Sequence, residues 1–163
     1  MRMPLTLTVN GTRHSLQIDT RQTLVGLLRE QLRLTGTHVG CSTGNCGACT
    51  VLLDGETVKS CSILAADVEG SEVATIESLS SGADDLHPIQ RAFVSRQGLQ
   101  CGFCTPGMVL SALHLLERNP DPSEDEVRHA LAGNLCRCTG YQLVVTSVLE
   151  AARLMREGAP AAA

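Results

Sequence analysis

Eight cysteines are the residues of this 163-residue chain whose spacing most clearly indicates chemistry. Four of them form a first quartet, in which Cys41, Cys46 and Cys49 stand as C-x4-C-x2-C and Cys61 follows. This is the spacing of plant-type [2Fe–2S] ligation. Three glycines in the same loop can adopt positive φ and bring N–H donors close to sulfur. The first quartet therefore predicts an iron–sulfur cluster, and a structural zinc ion is the alternative because C-x2-C is also zinc spacing.

The other four cysteines form a second quartet with a different pattern. Cys101 and Cys104 stand as C-x2-C, and Cys136 and Cys138 stand as C-x-C. Both pairs fall between predicted helices, so two helix junctions are expected to meet at one metal centre. Neither pattern is a ferredoxin spacing, and four thiolates suit a [2Fe–2S] cluster or a zinc ion equally well. Spacing alone leaves these two possibilities open.

Composition limits the partners and the compartment. A formal net charge of −4 without a basic run argues against nucleic acid as a partner, since binding phosphates needs clustered cations. The first ten residues lack the pattern of a signal peptide, and no stretch approaches the roughly 20 apolar residues that span a bilayer. We therefore expect a cytoplasmic protein without a transmembrane segment. In that reducing compartment, cysteines are more often metal ligands than disulfides.

The first half of the chain predicts a small α+β unit that positions the first quartet. Alternating side chains from Leu5 predict two strands joined by an Asn10-Gly11 turn. Leucines at 24, 27, 28 and 32 predict an amphipathic helix, with Gly36 as its C-terminal cap. A strand over 50–53, an Asp54-Gly55 turn and a return strand through Val58 predict a second hairpin.

The second half predicts four helices, after a polar boundary at 78–85 that separates domains over 1–80 and 84–158. Pro88 suits the first turn of one helix, and Thr105 followed by Pro106 suits the cap of the next. Ser123 and Glu126 form a predicted capping box for a third helix. An apolar stripe from position 144 to position 152 predicts a fourth, and the tail from 158 is expected to be frayed.

Three segments in this order closely resemble a known family: GCSTGNCGACTV over 40–51, QCGFCTPGM over 100–108 and GNLCRCTGY over 133–141. They are similar to the small subunits of the xanthine dehydrogenase and aldehyde oxidase family. These molybdenum hydroxylases include bacterial carbon monoxide dehydrogenase and several N-heterocycle hydroxylases. The resemblance extends from the first hairpin to about Arg156, and it favours iron and sulfur at the second quartet.

The resemblance implies an α+β protein with an N-terminal β-grasp ferredoxin-like domain and a C-terminal four-helix domain, each with one [2Fe–2S] cluster. It implies a large partner subunit with a molybdenum–pterin cofactor and a medium subunit with FAD; a dimer of heterotrimers is one assembly it allows. The chain would relay electrons singly from molybdenum to FAD. The second-quartet cluster would lie beside the pterin, against Gln100 and Cys138, and the first-quartet cluster toward the flavin. At position 143 this chain has leucine, where relatives often carry a polar residue or proline.

The remaining residues suggest no bond chemistry on this chain. Arg137, between two predicted ligands, is either a charge that raises a cluster potential or a surface arginine. His38 lies near the first quartet, but eight cysteines already complete two sets of four, so we expect a packing or surface role. No catalytic residue is predicted. A free-standing two-cluster carrier or redox sensor and a zinc-stabilised interaction module are the alternatives, and the substrate of the holoenzyme is not encoded here.

Overall fold

A computed structural model describes residues 1–82 and 84–158, and its first half is built on one five-stranded mixed sheet. The strands lie in the order β2-β1-β5-β3-β4, where β1 pairs with β5 in parallel and the other neighbours are antiparallel. Their bounds are β1 (Arg2–Val9), β2 (Thr12–Asp19), β3 (Thr50–Leu53), β4 (Glu56–Lys59) and β5 (Glu72–Ala74).

Both predicted hairpins are confirmed, with the predicted residues in their turns. Asn10 and Gly11 join β1 to β2 with φ of 49° and 74°, and Asp54 and Gly55 join β3 to β4 with φ of 49° and 84°. Positive φ at both central residues gives a two-residue turn whose twist matches that of the flanking strands. The second hairpin matters for the site, because one cysteine lies directly before it and another just after it.

The helix that packs on the sheet is shorter than the leucine spacing predicts. Helix α1 (Leu24–Gly26) continues as a π-helical segment (Leu27–Gln31), and Arg33 has a left-handed φ of 60°. The prediction that Gly36 caps this helix is therefore wrong. Gly36 is required elsewhere, since a Cβ there would stand 2.5 Å from the side chain of Ile76. The leucines of the helix complete a core with alternate side chains of the sheet: Leu5, Leu7, Val9, Ile18, Leu24, Leu27, Leu28, Val51 and Val73.

Four helices form the second half, as predicted: α2 (Pro88–Ser95), α3 (Thr105–Arg118), α4 (Glu124–Ala130) and α5 (Gln142–Arg156). Ser123 and Glu126 make the predicted capping box at α4. Thr105 is not the cap of α3, because the helix already includes it and Cys104 takes the cap position without a side-chain hydrogen bond. Because Cys104 takes the cap position, α3 begins immediately after a residue of the second quartet. The core of this half contains Ile89, Phe93, Met108, Val109, Leu113, Val127, Val144 and Val148.

Short 3-10 turns connect the elements of the first half at Ser60–Ser62, Ala65–Val68 and Ile76–Leu79. The predicted class, a ferredoxin-like β-grasp unit followed by four helices, is thus confirmed. The frayed tail predicted beyond Gly158 lies outside the described residues, as does Ala83 in the predicted boundary. Within the described ranges, no helix combines the length and apolar character that crossing a membrane requires.

Candidate metal centres

The first quartet is held by the loop before β3 and the turn after β4. Cys49 immediately precedes β3, and Cys61 lies in the 3-10 turn that follows β4, so the hairpin brings the two side chains together. Both are buried, with 1% and 8% of their surface exposed, and they pack with Val25. The hydroxyl of Ser60 donates to the Cys49 carbonyl oxygen at 2.7 Å and ties the turn to the loop.

The backbone of the loop curls around the thiol of Cys41. The N–H groups of Thr43 and Cys46 each approach the Cys41 sulfur to 3.4 Å. Left-handed φ values at Ser42 (57°) and Gly44 (77°) produce this curl. A side chain at position 40 would crowd the Cys46 sulfur, since a Cβ there would lie 3.0 Å from it. The loop therefore has the N–H donors and the open backbone that a cluster with inorganic sulfide needs.

The second quartet lies where two helix junctions meet, as the sequence predicts. Cys101 and Cys104 lie between α2 and α3, and Cys136 and Cys138 lie between α4 and α5. The sulfurs of Cys101 and Cys138 are 3.5 Å apart, and both residues are exposed. Cys104 and Cys136 lie deeper, and their thiols share a hydrogen bond. The quartet thus has an outer pair at the surface and an inner pair toward the interior.

Three pairs of thiols occur within the two quartets. Cys49 lies against Cys61, Cys101 against Cys138 and Cys104 against Cys136, while the Cys46 backbone contacts the Cys41 sulfur. Within 1–82 and 84–158, no group of three or more His, Cys, Asp or Glu side chains is placed to hold a single ion. Thiols in pairs suit a [2Fe–2S] cluster, whose four cysteine ligands are shared between two irons. The residues present therefore fit two such clusters.

The thiols differ in acidity in ways that their surroundings explain. Hydrogen bonds from Thr43, followed by the one from the Cys46 N–H, lower the pKa of Cys41 to about 6. Burial, followed by the hydrogen bond with Cys136, raises the pKa of Cys104 to about 12. Burial likewise raises the pKa of Cys49. Because metal ligation requires thiolates, ligation of iron at Cys49 and Cys104 would displace protons.

The two quartets are joined through backbone contacts. The N–H of Leu135, next to Cys136, donates to the Cys46 carbonyl oxygen at 2.8 Å. A Cβ at Gly47 would collide with the Gly133 carbonyl oxygen, so glycine permits this close approach of the two segments. One predicted ligand of the first quartet, Cys46, is therefore linked to a predicted ligand of the second, Cys136, through Leu135 and one hydrogen bond.

Asn134 fixes the same junction with its side chain. It is 2% exposed, and its Nδ2 donates to the Gly47 carbonyl oxygen at 3.0 Å and to Thr50 Oγ1 at 3.3 Å. Its Oδ1 accepts from Ser111 Oγ at 2.8 Å. Asn134 lies inside the motif over 133–141 but had no predicted role. A signal was present in the sequence, since a polar residue two positions before a predicted ligand suggests a buried structural hydrogen bond.

The remaining predicted residues lie around the second quartet. Gln100 is exposed and, with Val94 and the exposed Leu143, lines a shallow apolar depression beside the outer pair. Arg137 is exposed, which favours the interpretation of a surface or interface arginine. His38 stacks on Phe103 with ring centroids 4.8 Å apart, and its Nδ1 lies 2.8 Å from the Phe103 carbonyl oxygen. It has the packing role expected from the sequence.

Comparison with known proteins agrees with the two sites. A family described as "2Fe-2S iron-sulfur cluster binding domain" matches residues 7–80, and one described as "[2Fe-2S] binding domain" matches residues 75–149. The nicotine 6-hydroxylase small subunit of Paenarthrobacter nicotinovorans is 51% identical over 150 residues, which cover 92% of this chain and 90% of that protein. The chain belongs to the small iron–sulfur subunits of molybdenum hydroxylases. This small subunit carries two [2Fe–2S] clusters and transfers electrons within a multi-subunit oxidoreductase.

Other relatives extend the comparison. The aldehyde oxidoreductase iron-sulfur-binding subunit PaoA of Escherichia coli K12 is 42% identical, covering 92% of this small subunit and 72% of that protein. The solved structure of quinoline 2-oxidoreductase from Pseudomonas putida 86 has a TM-score of 0.91 and 43% identity, covering 96% of this chain and 98% of the matched one. In the aldehyde oxidoreductase of Desulfovibrio desulfuricans, 94% of this chain matches 17% of a longer chain with a TM-score of 0.91.

Proposed function

We propose that this small subunit connects a partner that carries a molybdenum–pterin cofactor to a partner that carries FAD, in the cytoplasm. The proposal takes residues 1–80 and 84–158 as its two domains, and a large and a medium subunit as its partners. It assigns the first cluster to Cys41, Cys46, Cys49 and Cys61, and the second to Cys101, Cys104, Cys136 and Cys138. The observation that carries it is the hydrogen bond from Leu135 N–H to the Cys46 carbonyl oxygen, which links a ligand of each quartet.

Each cluster, when bound, accepts and releases one electron at a time. The chain's own residues would hold the two clusters at a fixed separation and limit water between them. Asn134 and Gly47, both buried, fill the space between the quartets with protein rather than solvent. We assign no bond chemistry to this chain, and substrate oxidation would belong to the molybdenum partner.

The direction of transfer is proposed from exposure. Cys101, Cys138 and Gln100 form an exposed edge beside an apolar depression, which suits docking of the pterin-carrying subunit against Gln100 and Cys138. The loop around Ser42 and Asn45 is exposed at the first quartet and suits transfer toward the flavin. Leu143, where relatives often carry a polar residue or proline, lines the same depression and would contact the pterin-carrying subunit.

The first test is metal analysis of the anaerobically purified chain. Two [2Fe–2S] clusters require four iron and four acid-labile sulfide per polypeptide, and reduction should give two distinct paramagnetic signals. Stoichiometric zinc with little sulfide would contradict the assignment.

The second test is reconstitution. The isolated small subunit should oxidise no organic substrate, and its addition should restore electron flow to flavin in partners that lack it. Hydroxylation by the lone chain at the rate of the assembled enzyme would show that the electron-transfer assignment is wrong.

A further inference from the structure

Lys59 is the single lysine of this chain, since the other twelve of its 13 Lys and Arg residues are arginines. It is the last residue of β4 and lies directly opposite Thr50 in the antiparallel ladder. Thr50 follows the ligand Cys49, and Lys59 precedes the ligand Cys61 by two positions. The register of the hairpin therefore places a cation next to the two buried ligands of the first quartet.

The ammonium group is held in place by the polar junction between the domains. Lys59 is half-buried, and its Nζ donates to Thr50 Oγ1 at 2.8 Å. Thr50 Oγ1 in turn donates to the Gly47 carbonyl oxygen at 2.7 Å and accepts from Asn134 Nδ2 at 3.3 Å. Nζ also lies 3.4 Å from the place that a Cβ on Gly133 would occupy. These contacts leave the charge little freedom to move away from the cysteines.

The hairpin places the ammonium charge beside the first quartet. Lys59 pairs with Thr50, which follows Cys49, and it lies two residues before Cys61. None of the carboxylates among the described residues lies within ion-pair distance of Nζ. Its charge is thus directed at the thiolate ligands and is not offset by a local acid.

We infer that Lys59 sets the reduction potential of the first-quartet cluster, an inference that rests on the proposed ligation by Cys41, Cys46, Cys49 and Cys61. Reduction adds one negative charge to a centre that already has four thiolate ligands. A fixed cation at its half-buried edge stabilises the reduced form, and partial burial strengthens the interaction relative to water. Lys59 therefore favours electron arrival at this cluster from the second one.

The test is a potentiometric titration of the cluster-loaded chain, followed by paramagnetic resonance. Lys59→Met removes the charge and keeps most of the length of the side chain. We expect the one-electron equilibrium of the first-quartet cluster to shift toward the oxidised form by about tenfold, equivalent to about 59 mV. The signal of this cluster is the one that Cys49→Ser removes or strongly shifts. The second-quartet cluster should shift less, and Lys59→Arg should stay closer to wild type than Lys59→Met does.

Arg13→Gln is the matched control, because it also removes one positive charge. Arg13 is exposed on β2, at the sheet edge opposite β4. Its substitution should leave both potentials unchanged. An equal shift in the Arg13 and Lys59 variants would mean that only net charge matters and would overturn the inference.

A second measurement covers the case in which Lys59→Met fails to assemble its cluster. Acetylation of the loaded wild-type chain neutralises Lys59, the only side-chain amine, together with the terminal amine at the exposed Met1. The first-quartet potential should fall as it does in Lys59→Met. In Arg13→Gln acetylated in parallel, the same potential should fall by the same amount. If the acetylated wild-type chain shows the first-quartet signal at an unchanged potential, the role of Lys59 is overturned and the proposed ligation is not. A wild-type chain that lacks the signal would overturn the proposed ligation, and the inference with it.

Discussion

Asn134 Nδ2 donates to the carbonyl oxygen of Gly47 at 3.0 Å, and this hydrogen bond joins segments that are 87 residues apart in the chain. Gly47 lies in the loop of the first quartet, and Asn134 lies two residues before the second-quartet residue Cys136. Both residues are buried. The contact therefore couples the position of one predicted cluster to that of the other.

Asn134→Ala should loosen this junction. The change leaves the Ser111 hydroxyl without its partner and removes one donor from the Gly47 carbonyl, which keeps Thr50, at a cost of about 1–3 kcal/mol in the free energy of unfolding. We expect the cluster absorbance to bleach at a lower guanidinium concentration, and the magnetic coupling between the two reduced clusters to weaken. Asn119→Ala, whose Nδ2 bonds Glu126 at an exposed site, is the control and should leave the coupling intact.

Gly47→Ala tests the close approach of the two backbones. Gly47 has a φ of 74°, and a Cβ there would collide with the Gly133 carbonyl oxygen. Gly55→Ala is a matched control, because Gly55 has a similar φ of 84° and open space around its Cβ direction. The control should lose about 1–2 kcal/mol from backbone strain alone. Gly47→Ala should lose more and assemble its first-quartet cluster poorly; equal losses in thermal melts of the two variants would contradict a packed junction.

Glu56→Gln should matter much less, although Glu56 also joins the two halves. Its carboxylate contacts Arg118 and lies 3.1 Å from His114 Nε2, both on α3. The hydrogen bond to Arg118, the largest cause, lowers the pKa of Glu56, but the pair is exposed and screened by salt. Denaturation at low and high ionic strength should show a small difference from wild type that salt removes. A loss as large as that of Asn134→Ala would mean that the surface pair, not the buried amide, holds the domains together.

The elements that the sequence predicted well depend on local signals. Asn10-Gly11 and Asp54-Gly55 determine their turns, and the Ser123 capping box begins α4, because each acts over a few residues. Strand β5 was missed, since three residues carry little pattern of their own and pair with β1 and β3 far away in the chain. Gly36 was misread as a cap because its contact with Ile76 is not visible in the sequence.

The two candidate metal centres show the same difference between local signals, which the sequence reveals, and contacts between distant residues, which it does not. The eight cysteines could be selected from spacing, but their grouping into pairs depends on how helix junctions meet. The 3.5 Å approach of Cys101 to Cys138 crosses 37 residues, and no local rule predicts it. Lys59 was overlooked because a lone cation near a strand end resembles any surface lysine until the hairpin register places it opposite Thr50.

The order of the two clusters along the path can be tested with one substitution in each quartet. Cys104→Ser should remove or strongly shift the second-quartet cluster, and Cys49→Ser the first, because serine replaces a soft thiolate by a hard ligand of similar shape. Both variants should slow electron flow to the terminal acceptor in the assembled enzyme. They should differ when substrate is added without acceptor and the samples are rapidly frozen for paramagnetic resonance. In Cys104→Ser, the surviving first-quartet cluster should reduce slowly, since electrons are held at the molybdenum partner.

In Cys49→Ser, the second-quartet cluster should still reduce quickly while the flavin lags. This expectation follows from the exposed Cys101 and Cys138 at one end and the exposed loop at Ser42 at the other. Ser15→Ala, which removes an exposed hydroxyl on β2 at the sheet edge opposite β4, is the control and should reduce both clusters at the wild-type rate. The reverse pattern in the two cysteine variants would mean that electrons enter at the first quartet. Equally rapid flavin reduction in both would place neither cluster on the path.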